Sequence, residues 1–246
     1  MSNILSFSGG KDSTAMLHLM LERGENIKAV IWCDMGDWEF PEMAEHIAKV
    51  ERNTGVVVTR VAPRIDLSML AFERPYNYTY NGETKSCKGW GWPSPTKRWC
   101  TAEKRAAINK AVKALGGGVQ CIGLALDEVR RKRQPDNRYP LDEYLYTEAD
   151  CLAYCKKLGY DWGGLYEIYR RVSCWCCPLQ SNNDLRMLRR HRPALWRRLL
   201  AMDERNPPHN KGFKDRTVAE YERRFALEDR ALRLFPIGST ALQEAA

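Results

Sequence analysis

Six residues near the start of the chain have the composition of a phosphate-binding loop. They follow a short apolar run and precede a stretch with helical character: Ser8, Gly9, Gly10, Lys11, Asp12 and Ser13. Glycines let backbone N–H groups approach an anion closely, and a helix N-terminus adds partial positive charge. The two serines can donate hydroxyl hydrogen bonds, and Lys11 supplies a cation. The loop therefore predicts phosphate binding between a strand and a helix.

The spacing of its glycines separates this loop from two commoner motifs. A Walker A loop, G-x-x-x-x-G-K-[ST], requires a glycine where Leu5 stands. The spacing G-x-G-x-x-G of dinucleotide-binding loops is also absent. A tight strand-to-helix connection is the alternative interpretation, because a Gly-Gly turn is common at such a junction.

Nine cysteines form the second group of residues that could do chemistry. A cytosolic chain seldom uses cysteines for disulfides, so a metal or redox site is indicated. Cys174 and Cys177 are separated by two residues, Cys176 among them, a spacing that lets both thiolates reach one metal. Cys100 is distant in sequence but could be brought close by a sheet. Four others are expected to be core residues, because they fall in predicted strands or helices: Cys33, Cys121, Cys151 and Cys155.

The elements that must position these residues predict an α/β fold. Strands that alternate with helices imply right-handed crossovers and a doubly wound, mostly parallel sheet. Apolar runs predict strands at Asn3–Phe7, Ile27–Cys33, Val56–Val61 and Val119–Leu124. Helices are predicted over about Asp12–Arg23, Pro41–Asn53 with Gly55 as C-cap, Thr101–Leu115, and from Thr147 through a capping box with Asp150.

Two regions depart from the alternating pattern. Residues 62–100 are rich in Trp, Tyr, Gly and Pro, and so long an irregular segment is usually functional. After Cys177 the chain is predicted to be helical, with breaks at Pro193 and Pro207-Pro208. We therefore predict an α/β domain over residues 1–180 and a basic helical extension over residues 181–246.

Charge and hydropathy narrow the classes of function. The 246 residues carry a net charge of +8 and include 44% hydrophobic residues. The sequence has neither an apolar run of about 20 residues nor a signal-peptide pattern, which predicts a cytoplasmic protein without a membrane span. Cations are concentrated in Asp184–Arg198, with six arginines and one acid. Such a run forms either a solvated helix face or a surface that binds phosphate.

The phosphate loop resembles the S-G-G-x-D-S signature of the PP-loop superfamily, the adenine nucleotide α-hydrolase-like proteins. This resemblance implies that the loop binds the pyrophosphate end of ATP, with Mg²⁺, and that the enzyme forms an adenylylated intermediate. It also implies catalytic roles for Lys11, Asp12 and Asp34. Further motifs resemble the branch that contains PAPS reductase and the DNA phosphorothioation sulfurtransferases.

These further motifs occur in the same order along the chain. Cys33-Asp34-Met35-Gly36 and Glu39–Glu42 resemble "D-T-G … F-P-E", which implies that Asp34 holds the nucleotide or its Mg²⁺; a helix-capping aspartate is the alternative. The segment from Gly123 to Arg131 resembles "G-x-x-x-x-E-S-x-R-R". This resemblance implies nucleotide binding by Gly123, Glu128, Arg130 and Arg131. Arg98–Lys104 resembles "R-W-C-T-x-x-x-K", Tyr139–Leu141 resembles "Y-P-L", and Arg171–Pro178 resembles "R-x-G-C-x-x-C-P".

The resemblance also implies an iron–sulfur site. Several relatives carry a [4Fe–4S] cluster, which here would be held by Cys100, Cys174 and Cys177. Cys176 or Cys87 would be the fourth ligand, unless an open iron site is left for sulfur. Structural Zn²⁺ and reduced buried thiols are the alternatives. PAPS reductases also carry a catalytic cysteine in a C-terminal tail, whereas this sequence has no cysteine after Cys177.

Three functions follow as hypotheses. The first is ATP-dependent adenylylation for iron–sulfur-dependent sulfur transfer to nucleic acid. Its expected partners are ATP, DNA or tRNA and a sulfur donor protein, with a homodimer as a candidate assembly. The second is reduction of APS or PAPS. The third is a non-catalytic nucleotide-binding subunit of a nucleic-acid complex.

Overall fold

The computed structural model describes residues 2–128, 134–210 and 212–234. Its strands are β1 (Asn3–Phe7), β2 (Ile27–Cys33), β3 (Val58–Val61), β4 (Pro75–Tyr80), β5 (Glu83–Lys88), β6 (Val119–Ile122) and β7 (Asn137–Arg138). Five of them form a parallel sheet in the order β3-β2-β1-β6-β7. Helices lie on both sides of this sheet, so the predicted α/β class is confirmed.

The α-helices alternate with the strands in the first part of the chain and follow one another in the last. They are α1 (Lys11–Glu22), α2 (Glu42–Thr54), α3 (Trp99–Ala114), α4 (Pro140–Glu143), α5 (Glu148–Lys157), α6 (Leu165–Ile168), α7 (Asn182–His191), α8 (Pro193–Glu204) and α9 (Val218–Leu234). Short 3₁₀ turns occupy Gly36–Trp38 and Trp162–Gly164, and a π-helical turn spans Met69–Glu73. No helix in these ranges has both the length and the apolar character needed to span a bilayer.

The strand order places the phosphate loop at the switch point of the sheet. β1 pairs with β2 on one side and with β6 on the other, so the chain winds away from β1 in both directions. Ligands of doubly wound sheets bind at the carboxyl ends of the strands at such a point. The phosphate loop follows β1 there, and Gly123 follows β6.

Local signals in the sequence predicted most of these elements. β1 and β2 have the predicted bounds, and α1, α2 and α3 differ from prediction by one or two residues at an end. Gly55 caps α2 in the left-handed conformation, with φ of +70°. Thr147 and Asp150 form the predicted capping box of α5. The four cysteines predicted as core residues are each 0% exposed.

The hairpin of β4 and β5 was not predicted. It lies inside the segment that the sequence left irregular, and its strands pair from Pro75↔Lys88 to Tyr80↔Glu83 around an Asn81-Gly82 turn. Asn-Gly is a strong hairpin signal because both turn residues require positive φ, and here φ is +50° and +80°. The signal was therefore present in the sequence, although the composition of the surrounding segment obscured it.

Contacts divide the chain into two compact units. The first comprises Met1–Met69 and Pro95–Cys177, and the second comprises Leu70–Ser94 and Pro178–Ala246. The hairpin thus belongs with the helices of the second unit. There, Tyr76 Oη lies 2.8 Å from His209 Nε2, and Trp92 Nε1 donates to Asp203 Oδ1 at 2.7 Å.

Candidate active site

A cavity of about 290 Å³ opens at the carboxyl ends of β1 and β6. The phosphate loop forms one side of it through Ser8, Gly10, Lys11, Asp12 and Ser13. Residues from six other segments of the first unit complete the lining, including Glu39, Lys104, Gly123, Glu148, Tyr166, Arg171 and Cys174. The structure therefore brings the predicted phosphate loop and one of the predicted metal-binding cysteines to the same cavity.

The ammonium group of Lys11 lies among carboxylates. Its Nζ is 2.6 Å from Asp12 Oδ1 and 3.3 Å from Glu148 Oε1, and Lys11 is 6% exposed. Burial raises the pKa of Asp12, whereas the Lys11 cation opposes that rise. A buried ammonium requires compensating negative charge, which these two carboxylates supply.

The same acids form a group that could hold a divalent cation. Asp12, Glu128 and Glu148 each offer a carboxylate oxygen, and these oxygens lie within 4.8 Å of one another. Carboxylate oxygens are the ligands that Mg²⁺ prefers. Glu128 is anchored by the N–H of Ala125, which donates to its Oε2 at 3.3 Å. The donor set therefore fits the Mg²⁺ that a nucleotide would bring.

Hydrogen bonds hold the phosphate loop in a closed turn. The hydroxyl oxygens of Ser8 and Ser13 lie 3.0 Å apart, and Ser13 donates to the Gly10 carbonyl at 3.1 Å. Gly9 has φ of +75°, and a Cβ there would lie 2.7 Å from Met43 Cε. A Cβ on Gly123 would lie 3.0 Å from the backbone nitrogen of Ser13. Glycine is favoured at Gly9 by its positive φ and at Gly123 by the close approach of the Ser13 backbone.

Aromatic residues support the loop from a distant part of the sequence. Trp162 Nε1 donates to the Gly9 carbonyl at 2.7 Å, and the hydroxyl of Tyr166 accepts the Lys11 N–H at 2.9 Å. His46 stacks on Trp162 with ring centroids 4.6 Å apart. Burial lowers the pKa of His46 to about 3, so its ring is neutral at physiological pH. The loop is thus fixed by groups that its own sequence does not contain.

Glu39 and Lys104 line another part of the cavity. Oε2 of Glu39 is buried and has no hydrogen-bond partner among the described residues. Burial raises the pKa of Glu39 to about 7, although the Lys104 cation opposes this rise. The charge of Glu39 is therefore expected to change near neutral pH.

Asp34 lies at the end of β2, as the sequence predicts, but it is not among the residues that line the cavity. Its Oδ1 accepts the N–H of Gly36 at 2.7 Å, directly before the 3₁₀ turn. This contact is the one expected if Asp34 is a helix-capping aspartate, the alternative to nucleotide binding. Nucleotide binding by Asp34 stays a prediction. Arg130 and Arg131 lie outside the described residues.

The three main candidate metal-binding cysteines, Cys100, Cys174 and Cys177, are in the first unit. Burial raises the pKa of Cys174 to about 12, and the nearby thiols of Cys177 and Cys100 add to the rise. The three sulfurs do not form a group within 4.8 Å of one another in the described part of the chain. A single zinc ion would need its sulfur ligands closer together, whereas a [4Fe–4S] cluster binds each cysteine at a different iron.

The two candidates for the fourth ligand differ in their surroundings. Cys176 is 0% exposed. The backbone N–H of the preceding residue, Trp175, donates to the Trp38 carbonyl. Cys87 lies in the second unit, where its Sγ contacts the carbonyl oxygen of Tyr76 at 3.6 Å. The structure therefore assigns them to different compact units.

Two arginines of the basic run form close ion pairs within the second unit, and a third, Arg190, forms a longer one with Asp229 at 3.9 Å. Arg186 binds Glu228 through two nitrogens, at 2.7 and 3.0 Å. Arg189 binds Glu222 in the same way, at 2.8 and 2.9 Å, and also Asp229 at 2.5 Å. α9 thus neutralises part of the basic face of α7, which is the outcome expected of a structural surface. Arg190 and Arg197 remain exposed.

The fold and the cavity together define a nucleotide-binding α/β protein of the PP-loop type. Its phosphate loop links the first strand to the first helix of a parallel sheet and contributes a lysine, two serines and two glycines. The family model of the phosphoadenosine phosphosulfate reductase domain matches residues 2–180, so the chain belongs to that family. No curated protein matches the sequence significantly.

Sequence reasoning missed several residues of the site. Glu148, Trp162 and Tyr166 contact the phosphate loop from more than 130 positions away. Glu148 was visible in the sequence as part of the capped start of α5, but nothing there indicated that it would reach Lys11. Tyr166 and Trp162 carried no motif signal. Their roles follow from the packing of α5 and α6 near α1.

Proposed function

We propose that this protein is a PP-loop ATP pyrophosphatase that activates its substrate by adenylylation. A substrate oxygen would attack the α-phosphorus of ATP, the bond to the β-phosphate oxygen would break, and pyrophosphate would leave. The observation that carries this proposal is the cavity in which the closed serine–glycine loop, Lys11 and the carboxylates converge at the switch point of the sheet.

The residues of the cavity have separate tasks in this reaction. Loop N–H groups and the hydroxyls of Ser8 and Ser13 would bind the β- and γ-phosphates and stabilise the leaving pyrophosphate. Asp12, Glu128 and Glu148 would hold Mg²⁺, which neutralises phosphate charge. Once Mg²⁺ binds these acids, the Lys11 ammonium is expected to exchange its carboxylate partners for phosphate oxygens.

The reaction that follows activation is proposed to be sulfur transfer. Cys174 lines the cavity that contains the phosphate loop, so sulfur chemistry would take place beside the bound nucleotide. Cys100, Cys174 and Cys177 would hold an iron–sulfur cluster, with Cys176 or Cys87 as fourth ligand or with an iron left open. Such a cluster can carry sulfur or electrons. Because the three described thiols do not all lie within 4.8 Å of one another, they fit a cluster better than a single Zn²⁺ ion.

Nucleic acid is the proposed substrate class. Arg190 is 58% exposed on its side chain and makes only a long ion pair with Asp229, at 3.9 Å. Arg197 is exposed and makes no ion pair with a described residue. Together with the net charge of +8, these cations support binding to a phosphate backbone. Since Arg186 and Arg189 are paired with acids, fewer cations serve this purpose than the sequence suggested. A sulfur donor protein would supply the transferred atom.

ATP labelled at the α-phosphate tests the proposal. The protein, purified anaerobically, should convert it to AMP or to an AMP-substrate adduct when DNA or tRNA is present, and Lys11→Ala should not. Lys110→Ala, which removes an exposed lysine of α3, is the matched control. ADP as the product would contradict the assignment. Sulfite release from APS or PAPS, without AMP formation from ATP, would establish the reductase instead.

A further inference from the structure

The hydroxyl group of Tyr166 occupies a distinctive position in the cavity. It accepts the N–H of Lys11, the first residue of α1, at 2.9 Å. A Cβ built on Gly10 would lie 3.3 Å from the same oxygen. Tyr166 therefore lies directly over the Gly10–Lys11 peptide, where a helix N-terminus attracts negative charge.

One hydrogen-bonding function of this hydroxyl is unused. A tyrosine hydroxyl can donate one hydrogen bond and accept others. Tyr166 accepts from Lys11, but its own hydrogen has no acceptor among the described residues. Burial raises the pKa of Tyr166, so the hydroxyl retains this hydrogen at physiological pH. Because the residue lines the cavity, a ligand there can serve as the acceptor.

Packing holds the ring of Tyr166 in place. It meets the ring of Trp162 edge-on, with centroids 4.7 Å apart. Trp162 in turn is anchored to the phosphate loop through its bond to the Gly9 carbonyl. Trp162 also adopts a left-handed conformation, φ +51°, which a bulky residue keeps only where its surroundings impose it. The hydroxyl is thus preorganised rather than free to rotate away.

We propose that Tyr166 is a phosphate-contacting residue of this site, outside the loop motif. Its hydroxyl accepts the Lys11 N–H and donates its own hydrogen to a phosphate oxygen of the bound nucleotide. Accepting one hydrogen bond polarises a hydroxyl and strengthens the bond that it donates. Tyr166 therefore extends the electropositive end of α1 toward the ligand. This inference rests on the proposed binding of ATP in the cavity.

Tyr166→Phe tests the inference, because it removes the oxygen and keeps the ring that packs on Trp162. The affinities of the full-length protein for ATP, pyrophosphate and adenosine are measured by calorimetry. Loss of a hydrogen bond to a charged group should weaken ATP and pyrophosphate by roughly tenfold to a hundredfold. Adenosine, which has no phosphate, should bind the variant and the wild type equally.

Tyr160→Phe is the matched control. It removes a buried hydroxyl from the same aromatic group, but that hydroxyl is 2.9 Å from His18 Nε2 and outside the cavity lining. The affinities of the Tyr160→Phe variant for ATP and pyrophosphate should equal those of the wild type. Unchanged or tighter pyrophosphate binding by Tyr166→Phe would overturn the inference, since the hydroxyl would then merely block the helix N-terminus. Failure of the wild type to bind ATP or pyrophosphate would instead overturn the proposed function.

Discussion

Replacing Arg189 by alanine separates a structural basic face from one that binds phosphate. In the structure, Arg189 donates three hydrogen bonds to two acids of α9, and its side chain is 23% exposed. Glu222, one of those acids, also accepts from Trp196 Nε1 at 2.5 Å. If the face is structural, the variant should lose stability while its affinity for nucleic acid remains.

The expected loss follows from this geometry. A hydrogen bond to a charged group contributes about 1.5–3 kcal/mol, whereas an exposed ion pair contributes about 0–1 kcal/mol. Arg189 is partly buried and bidentate, so we expect the free energy of unfolding to fall by about 1–3 kcal/mol. For a chain of this size, each kcal/mol shifts the melting temperature by roughly 2–4 °C.

Thermal and urea unfolding measure this loss, and Arg197→Ala is the control. Arg197 is exposed on the neighbouring helix and has no acidic partner among the described residues, so its removal should change stability by less than about 0.5 kcal/mol. Salt titrations of binding to duplex DNA and tRNA complete the comparison. Arg197→Ala should reduce the slope of log K against log salt by about 0.9 on duplex DNA.

The reverse pattern would refute this reasoning. If Arg189→Ala unfolds like the wild type and also loses about 0.9 of the salt slope, the guanidinium serves phosphate and its contacts with α9 are incidental. The acid dependence provides a second check. The hydrogen bond from Arg189 lowers the pKa of Glu222, so its stabilisation is present above the usual pKa of 4.5 and is lost as pH falls below it.

Three further predictions concern the cavity and the candidate cluster cysteines. Lys11→Ala should weaken ATP binding by roughly tenfold to a hundredfold in calorimetry while Lys110→Ala does not, because a charge-assisted contact with phosphate is lost. Burial raises the pKa of Glu39 from 4.5 to about 7, so the folded protein retains a proton between these values and its stability falls as pH rises through them. Glu39→Gln should remove that component from melting temperatures measured from pH 5 to 8; an unaltered pH profile would contradict the burial argument. Serine substitution of any one of three cysteines should lower the iron and sulfide content after anaerobic purification: Cys100, Cys174 and Cys177. Stoichiometric zinc without sulfide in the wild type would contradict the cluster.

The sequence by itself determined most of the elements of the α/β domain and their order. Strand β1, the phosphate loop and α1 follow from signals that lie within a few residues of one another, such as an apolar run, a Gly-Gly turn and helical periodicity. The capping box at Thr147 is equally local. Alternation of strands and helices then predicts a parallel sheet, since short right-handed crossovers leave few other arrangements.

Tertiary structure decided which side chains meet at the site. Lys11 binds Glu148, and its N–H is taken by Tyr166, across 137 and 155 positions of sequence. Arg189 pairs with two acids of α9, a contact that the basic run by itself did not reveal. Periodicity shows which face of a helix is basic but not what packs against that face. Such contacts are set when elements distant in sequence bury their apolar faces together, and only the folded chain contains that information.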